Sequence, residues 1–236
     1  MNPYQKLQNR KRTWTPVQTT AGKLKDGAEE TIYRALAMRH MELPVGSFIQ
    51  DALGEIPALS ADLLKSNVKD EENHDLALGY IANALGTDPK AEEEALRIRE
   101  AWISHPDHTV LKALVAERAL FFVLLPFFRF NGDAGLRTVS ADISRDEQVH
   151  VAANSLVCRE LGLTPSPSLD KLRKATINWV MTPLKSSTNK YLDKKFWLDQ
   201  SDSLMYQGKA PELSDTKRAR MPAFFEHANP NLPQYA

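Results

Sequence analysis

Two segments of the chain carry the same signature, Glu71-Glu72-Asn73-His74 and Glu147-Gln148-Val149-His150, each a Glu-x-x-His. On a helix, residues three apart lie about 60° apart around the axis and about one turn along it, so such a pair can reach one metal ion from one face. Two copies imply two ions. Four-helix proteins that hold two metals in their core take a Glu from each of two helices and a Glu-x-x-His from each of the other two. Glu117 stands in an apolar surround, after Leu114-Val115-Ala116 and before Ala119-Leu120-Phe121, and precedes Glu147 by 30 residues. Glu42 precedes Glu71 by 29, so the two halves of the chain match. Glu29 and Glu30 are rivals for the first position, but they break this pairing and suit the first turn of a helix, where negative charge is favoured. Pro44, close behind Glu42, would put that ligand at a helix end or kink.

Charge arithmetic fits the set. The carboxylates of Glu42, Glu71, Glu117 and Glu147 are balanced by two divalent cations, with His74 and His150 ligating as neutral imidazoles. Without metal such a cluster is costly to bury. Oxygen and nitrogen ligands without thiolate point to iron or manganese rather than zinc, and two divalent ions per chain as Fe/Fe, Mn/Fe or Mn/Mn all satisfy them. A single Glu-x-x-His on a charged helix is usually a surface coincidence; two copies with two matched glutamates are not. Glu72 points away from His74 toward solvent. His40, His105, His108 and His227 lack such company and read as surface or capping residues.

The elements that must carry these residues are helical. Residues 1–25 read as an extended, polar N-terminal arm anchored by Trp14, and its basic cluster of Lys6, Arg10, Lys11 and Arg12 reads as solvated. Helices are expected over 28–43, ended or kinked by Pro44, and over 59–85, stopping at Gly86. Others are expected over 90–104, 107–130, 134–161, 168–184 and 188–206. Residues 26–207 thus form the metal-binding helical domain. The tail, 208–236, holds four of the 14 prolines and reads as flexible or extended.

The bulk composition agrees. At 236 residues and 42% hydrophobic content the chain can bury a sizeable core, and only 10 glycines among many Ala, Leu, Glu and Lys favour helix. A formal net charge of zero gives no global field for nucleic acid or anionic lipid, and no Gly-rich phosphate loop is visible. Cys158 is the one cysteine, so no internal disulfide is possible and a reducing cytoplasmic setting is expected. The most apolar run, 119–128, is too short to span a bilayer, and no signal-peptide pattern is present, so no membrane association is expected.

Arg145-Asp146-Glu147-Gln148-Val149-His150 resembles the Arg-Asp-Glu-x-x-His segment of the small, radical-generating (beta) subunit of class I ribonucleotide reductase. The resemblance implies an all-α, ferritin-like four-helix bundle with additional helices, forming a homodimer that works with a large catalytic (alpha) subunit. In that family the Asp before the ligand Glu bonds the metal-bound His of the other motif and a Trp of the N-terminal arm, roles that fall here on Asp146, His74 and Trp14. Trp14-Thr15-Pro16 matches the family's Trp-x-Pro, and Phe121 resembles a phenylalanine lining the pocket at the metal site. Phe224-Phe225-Glu226 followed by Tyr235 resembles the family's Phe-Phe-Glu and downstream tyrosine that relays the radical to the large subunit. Two departures stand out. Many members carry a radical-bearing Tyr four residues after the first motif's His, where this chain has Leu78, so the oxidising equivalent is expected to stay on the metals. The sequence is also short for the family, and docking to the large subunit is expected to use something other than a long terminal segment.

Overall fold

The computed structural model describes residues 2–213, and among these every regular element is helical. A short first helix, α1 (Pro3–Gln8), departs from the extended arm expected from sequence. Asn2 caps it, accepting from the Gln5 N–H at 2.8 Å, and Pro3 occupies the first turn, where a missing N–H costs nothing. Its Tyr4 and Leu7 are buried, and Tyr4 Oη donates to Glu160 at 2.8 Å.

The expected 28–43 helix is two helices. α2 (Glu29–Ala37) passes into a 3-10 turn (Met38–Met41), and a new helix, α3 (Glu42–Ala52), begins at Glu42. Pro44 therefore stands in the first turn of α3 and ends nothing: the N–H groups of a first turn have no intrahelical acceptor to lose. Glu29 and Glu30 lie exposed in the first turn of α2. α4 (Ala61–Leu85) and α5 (Pro89–Ile103) follow within a few residues of the expected limits.

The expected 107–130 helix starts at α6 (Thr109–Ala116), passes through a π-helical turn (Glu117–Phe121) and continues as α7 (Phe122–Asn131). His108 caps α6, its Nδ1 accepting from the Val110 N–H at 3.2 Å. α8 (Ala134–Glu160) is capped by Asp133, whose Oδ1 accepts from the Leu136 N–H at 2.8 Å. α9 (Pro167–Met181), a 3-10 turn (Lys190–Leu192) and α10 (Lys194–Gln207) complete the chain as described.

The core is built by α3, α4, α6 with its π turn, α7 and α8, packed on one another, while α9 and α10 cover the π turn. Gly46 lets α3 approach α4 closely: a Cβ there would stand 3.4 Å from the Glu71 Cβ. The arm after α1 meets α4 at Lys11, beside Asp70, and then runs antiparallel to α8, with Trp14 beside Asp146 and Gly22 N–H donating to Asp133 Oδ2 at 2.8 Å. Gly135 makes room for it, since a Cβ there would come within 3.0 Å of Thr19 Oγ1. Lys11 corrects the reading of the basic cluster as solvated, because its side chain is only 11% exposed; Lys6, Arg10 and Arg12 are exposed as expected. No helix among the described residues is long and apolar enough to cross a membrane. Phe224, Phe225, Glu226, His227 and Tyr235 lie outside the described residues.

Candidate metal centre

Helical periodicity turns six side chains from separate segments toward one point. Glu42 opens α3, Glu71 and His74 share a face of α4, Glu117 opens the π turn, and Glu147 and His150 share a face of α8. All six are at most 1% exposed. Their ligand atoms form two overlapping groups that could each hold a metal ion: Glu42, Glu71, His74 and Glu147 in one, and Glu71, Glu117 and His150 in the other, with the atoms of each group within 4.8 Å of one another.

The distances show how the groups overlap. Glu71 Oε2 lies 3.3 Å from His74 Nδ1, and its Oε1 lies 3.0 Å from His150 Nδ1. Glu147 Oε1 is 3.5 Å from His74 Nδ1 and Oε2 is 3.7 Å from His150 Nδ1. Glu42 Oε2 faces only His74 Nδ1, at 3.7 Å, and Glu117 Oε1 faces only His150 Nδ1, at 3.8 Å. Each Glu-x-x-His thus does not serve one ion alone, as its local spacing suggests; its Glu spans both histidines.

The fit to cations rests on atoms that otherwise have no partner. Both oxygens of Glu42, Glu71 and Glu147, Glu117 Oε1 and the Nδ1 atoms of both histidines are buried without a hydrogen bond. Even the 3.0 Å approach of Glu71 to His150 lacks hydrogen-bond alignment. So many unpaired buried polar atoms would cost on the order of 10 kcal/mol or more in total at roughly 1–3 kcal/mol each. Convergent carboxylate and imidazole lone pairs are what a divalent ion satisfies.

Protonation reports the same stress. Burial pushes the Glu42 and Glu117 carboxyls up to about 8, and burial, with the charge of Glu71, pushes Glu147 well above the usual range. Burial also opposes ionisation of Glu71, but the adjoining His150 and His74 outweigh it and hold Glu71 well below the usual range. Burial likewise disfavours charged His74 and His150, yet their carboxylate neighbours, led by Asp146 and Asp70 respectively, raise both. In the metal-free state protons thus take the place of cations.

The outer atom of each imidazole meets a carboxylate from the other motif. His74 Nε2 lies 3.2 Å from Asp146 Oδ2, which also accepts from Trp14 Nε1 at 2.7 Å. His150 Nε2 lies 2.9 Å from Asp70 Oδ2, which also pairs with Lys11 Nζ. Such partners fix ring orientation and keep Nδ1 free for a metal. Asp70, Lys11 and Asn154, whose Nδ2 donates to Glu117 Oε2 at 2.7 Å, escaped the sequence reading. The signal for Asp70 was in plain view, since both motifs are preceded by Asp and read Asp-Glu-x-x-His.

Leu78 and Phe121 are each 3% exposed in the hydrophobic core, one turn beyond His74 on α4 and at the end of the π turn. The π turn has its own support: Ala119 O accepts from Ser201 Oγ of α10 at 2.7 Å, and Ser201 Oγ accepts from the buried Arg173 of α9 at 2.9 Å. Single π turns inside α-helices occur frequently at functional sites. Among the other histidines, His40 binds Glu92 at 2.6 Å and His105 Nδ1 accepts from the Asp107 N–H at 3.2 Å, both away from the cluster. Glu72 is exposed beside Lys69. A cavity of about 840 Å³ between α6, α8, α9 and α10 is lined by Leu111, Leu114, Arg118 and Met205 among others, and by none of the six cluster residues. Comparison with protein-family models, curated proteins and solved structures yields no match for this chain.

Proposed function

We propose that the chain is the radical-generating small subunit of a class I ribonucleotide reductase, a ferritin-like helical protein that holds two divalent ions, as Fe/Fe, Mn/Fe or Mn/Mn, and forms a homodimer. The observation that carries this reading is the hydrogen-bonded connection Trp14–Asp146–His74 beside a buried six-residue carboxylate and histidine cluster. When bound, such ions supply one-electron oxidising power drawn from oxygen or a reduced oxygen species. The chain's own residues do the rest. Glu42, Glu71, His74 and Glu147 would hold one ion and Glu71, Glu117 and His150 the other, while Asp146 orients His74 and holds the indole of Trp14 by a hydrogen bond. Burial excludes water, which protects a strong oxidant from quenching. The oxidising equivalent would leave through Trp14 and Tyr235 for a separate large catalytic subunit, where the ribonucleotide would bind and lose its 2′-hydroxyl. Leu78 offers no phenol beside the cluster, so in this reading the equivalent is stored on the metals.

The test is reconstitution. The chain, loaded in turn with iron, manganese and both, is mixed with a class I large subunit, reductant, oxidant and nucleotide. Deoxynucleotide in at least one regime is expected, and none in any regime sinks the proposal. A second reading, a self-contained dimetal oxidase acting on a small apolar substrate, is favoured by Leu78 standing where a radical-bearing tyrosine is common. Tyr235→Phe separates the two: turnover is abolished in the relay and preserved in the oxidase.

A further inference from the structure

The two histidines are held by unlike partners. Asp146, behind His74, receives a neutral indole N–H from Trp14 at 2.7 Å. Asp70, behind His150, receives the ammonium of Lys11, which also donates to Ser66 Oγ and Asn67 Oδ1, both at 2.9 Å. The Lys11 and Asp70 side chains are only 11% and 14% exposed, so this pair is poorly screened by solvent. A carboxylate behind a ligating imidazole raises its donor strength. A carboxylate whose charge is matched by an ammonium does so less.

The carboxylate that faces only His150 shows the same bias. Glu117 Oε2 accepts from Asn154, whereas neither oxygen of Glu42, which faces only His74, has a hydrogen-bond partner. The first group also offers four ligand residues and the second three. These differences weaken the Glu117/His150 end relative to the Glu42/His74 end, and outweigh the shorter contact behind His150, 2.9 Å to Asp70 against 3.2 Å from His74 to Asp146.

We infer that Lys11 of the N-terminal arm makes the two ion sites electrostatically unequal, so that the Glu42/His74 group takes the first divalent ion and the Glu117/His150 group takes the second, more weakly. Lys11 acts through Asp70 and His150 and is a positioning and tuning residue. The inference rests on the two-ion reading. A built-in inequality of this kind would let one chain take up two different metals in a fixed order.

Titration of the full chain with Mn²⁺ alone, followed calorimetrically and by the paramagnetic resonance of free Mn²⁺, tests it. Wild type is expected to bind two ions with affinities about tenfold or more apart. Lys11→Met removes a positive charge that repels the second ion, so it should tighten the weaker site by about five- to tenfold and move the stronger one much less. Lys11→Arg should restore the wild-type gap. Asp70→Asn, which keeps an acceptor for His150 but removes the negative charge, should loosen the weaker site by a similar factor, and it decides the matter if Lys11→Met fails to fold. A purely structural arm predicts the opposite sign for Lys11→Met, because undocking loosens the site. Two equal affinities in wild type, or a weaker site unchanged or loosened by Lys11→Met in a folded protein, would overturn the inference while leaving the two-ion reading intact. Fewer than two ions on wild type would instead sink that reading.

Discussion

Glu71 and Glu147 span the same two histidines, each with one oxygen toward His74, at 3.3 and 3.5 Å, and the other toward His150, at 3.0 and 3.7 Å. Of the two, only Glu71 falls in both groups of converging ligand atoms; Glu147 falls with Glu42 and His74 in one, and Glu117 with His150 in the other. The substitutions should therefore sort by stoichiometry. Glu71→Ala is expected to abolish binding of both ions; Glu42→Ala and Glu117→Ala should each leave about one tightly bound. Metal content measured after loading and gel filtration checks this, and equal losses from all three variants would refute the shared-ligand geometry.

Stability of the metal-free protein should fall as pH rises, with a sign set by the cluster. Burial raises Glu42 and Glu117 to about 8, above their unfolded values, so the fold favours their protonated forms. Their contribution is fully present below the ordinary carboxylate range, near about 4.3, and is lost progressively up to about 8. His74 and His150, raised by their carboxylate neighbours against burial, shift in the same direction, losing stability as pH rises through their folded values. Between pH 6 and 8 the metal-free melting temperature should drop by several degrees. Divalent ions take over from the protons, so saturating Mn²⁺ should flatten or reverse the slope and release protons on binding. Thermal melts across that range, with and without metal, decide it; a metal-free protein that gains stability toward pH 8 would contradict the buried cluster.

Trp14 meets the site through its hydrogen bond to Asp146 and lies with its ring roughly parallel to His74, centroids 6.2 Å apart, but it is none of the six ligand residues. Trp14→Phe keeps an aromatic ring there, so it should leave ion binding near wild type and cost about 1 kcal/mol for the lost hydrogen bond. If the proposed relay is right, deoxynucleotide formation with the large subunit nonetheless falls to background. Unimpaired turnover in the metal-loaded Trp14→Phe protein would remove Trp14 from the pathway.

How far the sequence foretold this arrangement differs from residue to residue. The matched 29- and 30-residue spacings singled out six residues that the structure gathers into one buried cluster, because helix periodicity is local and survives any packing. The break between α2 and α3 was not legible. Helical dihedrals persist through Met38–Met41, with hydrogen bonds tightening to the 3-10 pattern without any Gly or Pro to mark it, and Pro44 drew the boundary to the wrong place. The π turn at Glu117 is likewise a register change with no residue signature, settled by what α10 supplies to Ala119 O. Lys11 read as one more solvated cation, since only the docking of the arm in the completed fold sets it against Asp70, 59 residues away.

The turn that leads into Glu42 is held by a contact outside the six-residue cluster. Glu92 of α5 accepts from Arg39 Nη1 and Nη2 at 2.7 and 2.9 Å and meets His40 Nε2 at 2.6 Å, which pins the 3-10 turn whose next residue is Glu42. Burial opposes ionisation of Glu92, but Arg39 and His40 outweigh it and hold its carboxyl below the usual range. A depressed folded value means that the contribution is present above the ordinary carboxylate range and lost as pH falls through the lowered one. Glu92→Gln should thus cost about 1–3 kcal/mol at neutral pH, the cost of one charge-assisted bidentate pair, and much less near pH 3. Because the loosened turn carries Glu42, the same variant should weaken the ion held at the His74 end while sparing the Glu117/His150 end. Denaturant melts at both pH values, paired with Mn²⁺ titration, test the two effects together. A stable variant with unchanged binding would show that α3 holds Glu42 in place without help from α5.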